Sequence, residues 1–333
     1  MNFESNNTST IERDRRLIDR FEGDRIEPDD SFRGVYTTYT DDMKRADELE
    51  GVYRDDTNEA QLGKVAEALV YTSLNRHEIN EFLQFRPASH YDDFFHGTDV
   101  LVEPKVGSSI PALAAIDITI DQEDIKGKGR RSGDVDEVKE ARPVGLESKL
   151  LRSKKYTDFL ANYNPNGARN LSGWIESGGL HEPINGKNKH LFKEAEKLFL
   201  TKYYKTPDTD PEPQKPGFVI GGPQTIISVD TMFVNKALQG DREDEKVIAD
   251  LSVLEFMYCL QAEQGYLDRQ LEDNDSRNIF FDTHYTKVKA WSHILEKEEL
   301  QALVAEMGQR NKGNEEFMQQ LGYYAKAFQK VFG

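Results

Sequence analysis

The sequence predicts an α/β fold: a mixed sheet flanked by helices, followed by a helical C-terminal lobe. Three observations carry that expectation. Apolar residues recur at helical spacing between Glu59 and Asn75, the run AAIDITID (114–121) alternates strictly, and after Gly222 the pattern turns helical and stays so. With 333 residues, 37% hydrophobic and 31% charged, the chain has material for a sizeable core and a wet surface.

Residues 1–57 are polar and broken by DD and EG pairs, with a short helical candidate around Ile11 to Phe21, and predict a loosely packed N-terminal arm. The helix over 59–75 follows, built on Leu62, Val65, Ala66, Leu69, Val70 and Leu74 with no proline between them. DVLVE (99–103) and AAIDITID (114–121) then predict adjacent antiparallel strands across the turn-rich KVGSSIP. In the second, Ile116, Ile118 and Ile120 share one face and Asp117, Thr119 and Asp121 the other. Residues 122–142 form a loop-like mixture, and ARPVGLESKLL is a candidate third strand. Residues 162–187 and 206–217 predict loops on their Pro and Gly content, with a helix from His190 to Tyr204 between them. FVIGG predicts a short strand joining the sheet, and helices are expected over 229–238, 244–272 and from Lys287 onward with a break near Gly313. The expected organisation is therefore an arm (1–57), an α/β core with long loops (58–228) and a helical lobe packed on it (229–333).

The N-terminus lacks the basic start and apolar run of a signal peptide, and no segment approaches the roughly 18 apolar residues of a membrane span. A cytoplasmic protein with no membrane partner is the expectation. Cys259 is the single cysteine, set in the apolar run SVLEFMYCL, and predicts a buried inert thiol. The formal charge of −17 opposes indiscriminate binding to nucleic acid. Residues 126–155 nevertheless carry ten Lys or Arg against five Asp or Glu, leaving the rest near −22. Lys126, Lys128, Arg130, Arg131, Lys154 and Lys155 could form a local basic face for DNA or RNA, or simply a solvated loop of mixed charge.

Three acids stand in a distinctive order: Glu67 within the helix GKVAEALV, Asp99 at the turn into a strand in FFHGTDVLVE, and Asp117 at the centre of AAIDITID. Carboxylates in such a group raise one another's pKa unless a cation joins them, and Mg²⁺ is a hard cation that takes oxygen ligands. The order of helix acid, strand-entry acid and strand acid resembles the PD-(D/E)XK nuclease superfamily over roughly residues 60–150. That resemblance implies a restriction-endonuclease-like sheet and metal-dependent phosphodiester hydrolysis of DNA or RNA. It also implies Glu67, Asp99 and Asp117 as ligands of Mg²⁺ or Mn²⁺, with a lysine two residues past the last acid assisting the attacking water. Thr119 stands at that lysine position and carries no charge. Lys149, Lys126 and Lys128 are candidates for a migrated lysine, and a second register takes Asp117 as first acid with Glu147 and Lys149 as the terminal pair. A fold of this kind that has lost catalysis and serves as a nucleic-acid or protein-binding module is the alternative; an unrelated acidic interaction protein is the third.

Asp121 and Glu103 are expected to be solvated, and His96 to be a turn or supporting residue. GKGRRSG (127–133) lacks the strand-before, helix-after setting of a nucleotide loop. The pairs Tyr203-Tyr204 and Tyr323-Tyr324 are expected to pack helices.

Overall fold

The computed structural model describes residues 4–54, 58–105, 113–121, 146–205, 216–239, 242–273 and 277–333. Its principal sheet holds four strands: β1 (Leu83–Pro87), β2 (Val100–Pro104), β3 (Ala114–Asp121) and β6 (Gln224–Asp230), in the order β1-β2-β3-β6. The first three run antiparallel in sequence, and β6 pairs parallel with β3 from Ala115–Gln224 to Asp121–Asp230. Two further strands, β4 (Phe199–Lys205) and β5 (Pro216–Ile220), form a separate antiparallel ribbon.

The helix α3 (Asn58–Arg76) buries Val65, Ala66, Leu69, Val70 and Leu74 against the isoleucine face of β3. Helix α8 (Thr231–Leu238) and the long helix α9 (Arg242–Asp273) add Phe233, Val234, Ile248, Leu251, Val253 and Phe256 to the same core, and α10 (Ile279–Leu295), α11 (Glu298–Arg310) and α12 (Glu315–Phe332) contribute Trp291, Met307 and Phe317. One apolar core thus runs from the helix preceding the sheet to the last helix. The opposite face of β3 is not open: α5 (Leu146–Asn162) covers it, with Leu146, Leu150, Ser153, Thr157 and Leu160 inward at helical spacing and the Ser153 hydroxyl donating to Gln224 O at 2.8 Å. Asp117 and Thr119 are accordingly buried.

Several expectations are corrected. The N-terminal segment is not a loose arm: α1 (Glu4–Gly23) and α2 (Tyr39–Arg54) carry Phe21 into the main core and Ala46 into a second one, where Phe32, Tyr36 and Tyr39 pack with Tyr91, Phe199 and Tyr203. Its hydrophobic residues are few but aromatic, so each buries a large area. ESKLL opens helix α5 rather than a third strand, because the run is too short to distinguish the two periods. Within 162–187, α6 (Pro165–Glu176) is a helix that begins on proline, where the missing N–H costs nothing, under an Asn164 cap. The expected helix from His190 splits into α7 (Lys189–Glu196) and β4, so Tyr203 packs from a strand. FVIGG pairs with β4, not with the principal sheet, whose fourth member is QTIISVD. A parallel strand buried on both faces shows no alternation to read. The expected loop over 122–142 and the stretch before Pro216 lie outside the described residues, as do Lys126, Lys128, Arg130 and Arg131.

Candidate metal and phosphodiester site

Every acid of the site is delivered by an element whose backbone has a reason to be where it is. Glu67 leaves α3 at the margin of the face that enters the core. Asp99 sits one residue before β2. Helix α4 (His90–His96) precedes it, capped at its start by Ser89, whose hydroxyl oxygen accepts the Asp92 N–H at 3.1 Å. At its end Gly97 adopts φ 63°, the left-handed conformation that closes a helix and turns the chain into the strand. Asp99 N then donates to Ile116 O at 2.9 Å, and Asp99 Oδ2 accepts Ile118 N at 2.6 Å, so the carboxylate is held by the backbone of β3.

Glu67, Asp93 and Asp99 come together, each offering an oxygen within 4.8 Å of the others'. Asp93, from the middle of α4, was not anticipated. The stretch before Gly97 gave no apolar period to read, yet Ser89-x-x-Asp92 is the signature of a capped helix start and would have revealed the helix. Arg25 holds the far side, its guanidinium 2.9 Å from Asp93, 4.0 Å from Glu67 and 2.8 Å from Glu22. Burial alone would raise the Glu22 carboxyl, but hydrogen bonds and charge from His90 and Arg25 hold it down to about 2.

Asp117 lies beside this group with both oxygens engaged: Oδ1 by Lys149 and Oδ2 by Arg152, three residues apart on one flank of α5. Lys149 also donates to Ile118 O at 2.7 Å. Lys149 therefore bridges the Asp117 side chain and the β3 backbone. The second register does not assemble: Glu147 turns away and pairs with Lys330 of α12. Glu103, expected in solvent, is buried and bound by Arg86 at 2.9 Å and by the Tyr204 hydroxyl. His96 lines the adjoining cleft, and Cys259 is buried and free.

Electrostatics set this cluster apart from an ordinary ion-pair network. Burial, with repulsion from Asp93, pushes the Glu67 carboxyl up to about 8 despite Arg25 and Lys149. Asp99 is raised well above the usual carboxylate range by burial and then by Glu67, Asp93 and Asp117. Burial would lower the Lys149 ammonium, yet Asp117, Asp99 and Glu67 together raise it. Five carboxylates (Glu22, Glu67, Asp93, Asp99, Asp117) face three permanent cations (Arg25, Lys149, Arg152). The excess negative charge must be met by protons or by a bound cation.

Arg152 forms a wall shared with a cleft of about 570 Å³ lined also by Tyr91, Phe95, His96, Tyr156 and Phe192. Gln224, at the start of β6, donates to His96 O at 2.9 Å and closes the floor between the two. Among the described residues no helix is long and apolar enough to cross a membrane. No protein-family model, curated protein or solved structure matches the chain.

Proposed function

We propose that this protein is a divalent-metal-dependent phosphodiesterase acting on nucleic acid, a divergent relative of the PD-(D/E)XK nucleases with a restriction-endonuclease-like sheet. The observation that carries the proposal is the meeting of Glu67, Asp93 and Asp99 beside a lysine that arrives from a different element. The donor set fits Mg²⁺ or Mn²⁺: it is all carboxylate oxygen, and its surplus negative charge raises Asp99 and leaves Glu67, pushed up to about 8, holding a proton that a cation would displace. Glu67, Asp93 and Asp99 would hold the ion, with Asp117 joining them if Lys149 or Arg152 is drawn off. When bound, such an ion polarises a phosphoryl oxygen and lowers the pKa of a coordinated water.

The chain's own residues supply the rest. Lys149, steadied by Ile118 O, puts a positive charge at the strand where negative charge develops on the phosphoryl group. Arg152, half-exposed on the cleft side of Asp117, is placed to hold a neighbouring phosphate. Cleavage of labelled single- and double-stranded DNA and RNA in Mg²⁺ and in Mn²⁺ tests the proposal. Asp99→Ala is expected to abolish hydrolysis and Lys149→Ala to slow it by about 10²–10³. Wild-type protein inert on all four substrates would reject it.

One observation favours an inactive binding module instead. Asp117 is already neutralised twice and Asp93 once, by Arg25, so part of the cluster is compensated without any ion. Metal binding without cleavage would select that reading.

A further inference from the structure

The cleft beside the carboxylates has a chemistry of its own. Its volume of about 570 Å³ falls in the ~300–1,000 Å³ range of small-ligand pockets. Phe95 of α4 and Tyr156 of α5, both partly exposed, line it with ring surface over the buried rings of Tyr91, Phe192 and Phe199. The two acids in its wall are consumed internally. Asp42 accepts from the buried Lys202 ammonium at 2.7 Å and from the Tyr203 hydroxyl at 2.9 Å, and Glu196 takes the same ammonium and the Tyr91 hydroxyl at 3.2 Å. Of its five cations, Arg152 is held by Asp117 and Lys197 by Glu194 at 2.6 Å, but three are not consumed in this way. Lys189 and Lys193 stand one turn apart on the exposed side of α7, and Arg45 of α2 lies over the Phe95 ring at 4.5 Å. Among the described residues none of these three pairs with a carboxylate. On a chain of charge −17 this is a local reversal of sign.

We infer that the cleft binds unpaired nucleotides of a single-stranded nucleic acid, the bases against the aromatic rings and the phosphates on Lys189, Lys193 and Arg45, leading the backbone past Arg152 to the carboxylates. A ring-lined cleft accepts a base only after it has left a duplex stack. Phosphate needs local cations where the rest of the surface repels it. The inference rests on the proposed phosphodiesterase site and names its substrate class.

Fluorescence anisotropy with a labelled single strand of about eight nucleotides tests it in EDTA, where cleavage plays no part. Wild-type protein should bind the strand at least tenfold more tightly than the same sequence as a duplex or a nucleoside monophosphate. Lys189→Glu with Lys193→Glu, both exposed and so tolerable to the fold, should weaken binding at least tenfold and reduce the slope of log affinity against log salt by about 1.4. Phe95→Ala should weaken binding severalfold without changing that slope. No binding by the wild type, an unchanged double variant, or equal affinity for mononucleotide or duplex would overturn the inference. Failure of the enzymatic reading alone would leave these affinities intact and abolish only cleavage in Mg²⁺ or Mn²⁺.

Discussion

Glu67 is the residue whose chemistry the site most distorts, and it gives a pH dependence of definite sign. Its carboxyl is raised from 4.5 to about 8 in the folded protein. Between those values the native state binds the proton that the unfolded chain has released, so native stability falls as pH rises through the window. In EDTA the melting temperature should drop from pH 5 to pH 8, and Glu67→Gln, which cannot ionise, should flatten that part of the profile. An unchanged slope in Glu67→Gln would mean that Glu67 is not the titrating group. Lys149 leads to a second expectation. Because its ammonium already engages Asp117 and the β3 backbone, Thr119→Lys would force a second cation into a buried position beside it. Such a variant should lose about 1–3 kcal/mol in urea unfolding and gain no activity, whereas faster cleavage would show that Lys149 does not fill the lysine role.

At the scale of elements, the site depends on how α4 is fixed to its neighbours. Asp92, wholly buried, accepts Lys202 N at 2.7 Å, Tyr203 N at 3.1 Å, Thr201 Oγ1 at 2.9 Å and Ser89 Oγ at 2.7 Å, tying the helix that bears Asp93 to strand β4. Asp92→Ala leaves these donors without a partner and should cost about 3–5 kcal/mol in urea unfolding; a loss below 1 kcal/mol would show that water or a rearranged neighbour replaces the carboxylate. Gly97 has a positive φ, and a methyl group there would press on the Arg152 guanidinium. The same elements explain what was legible in the sequence. Alternation marked β3 because its two faces differ in residue type, and the helical period marked α3 and α9. QTIISVD was missed because a central parallel strand is apolar on both faces, and α5 because its first apolar run is shorter than one helical repeat can resolve. Glu67, Asp99, Asp117 and Lys149 were visible as residues in an order. Asp93 and Arg25 were not, since their place depends on the packing of α1 and α4, which no local period encodes.

Over the whole molecule, the helices after β6 belong to the same core as the sheet, with Trp291 of α10 packed edge-on to Phe256 of α9 at 5.4 Å. The aromatic core around Tyr36, Tyr91 and Tyr203 joins it through α10, which packs on α6 and β5 as well as on α9, rather than through a linker. The chain has two tryptophans, one in each region: Trp174 beside Phe192 and Trp291 in the main core. Unfolding should therefore be a single transition. Urea midpoints from the fluorescence of Trp174→Phe and Trp291→Phe, each reporting the remaining tryptophan, should coincide with one another and with circular dichroism of the same variant once the stability change of each is allowed for. Separated midpoints within one variant would reveal two independent folding units.

The proposed divalent-cation site of Glu67, Asp93 and Asp99 requires that its surplus negative charge be balanced by protons until the ion arrives. Calorimetric titration of Mn²⁺ into the protein near pH 7, repeated in buffers of different ionisation enthalpy, measures both the binding and the protons it releases. A single saturable site is expected, with release of about one proton per ion from Glu67, the site lost in Asp99→Ala and the proton release reduced in Glu67→Gln. Absence of saturable binding at millimolar Mn²⁺, or binding without proton release that survives in Asp99→Ala, would contradict it.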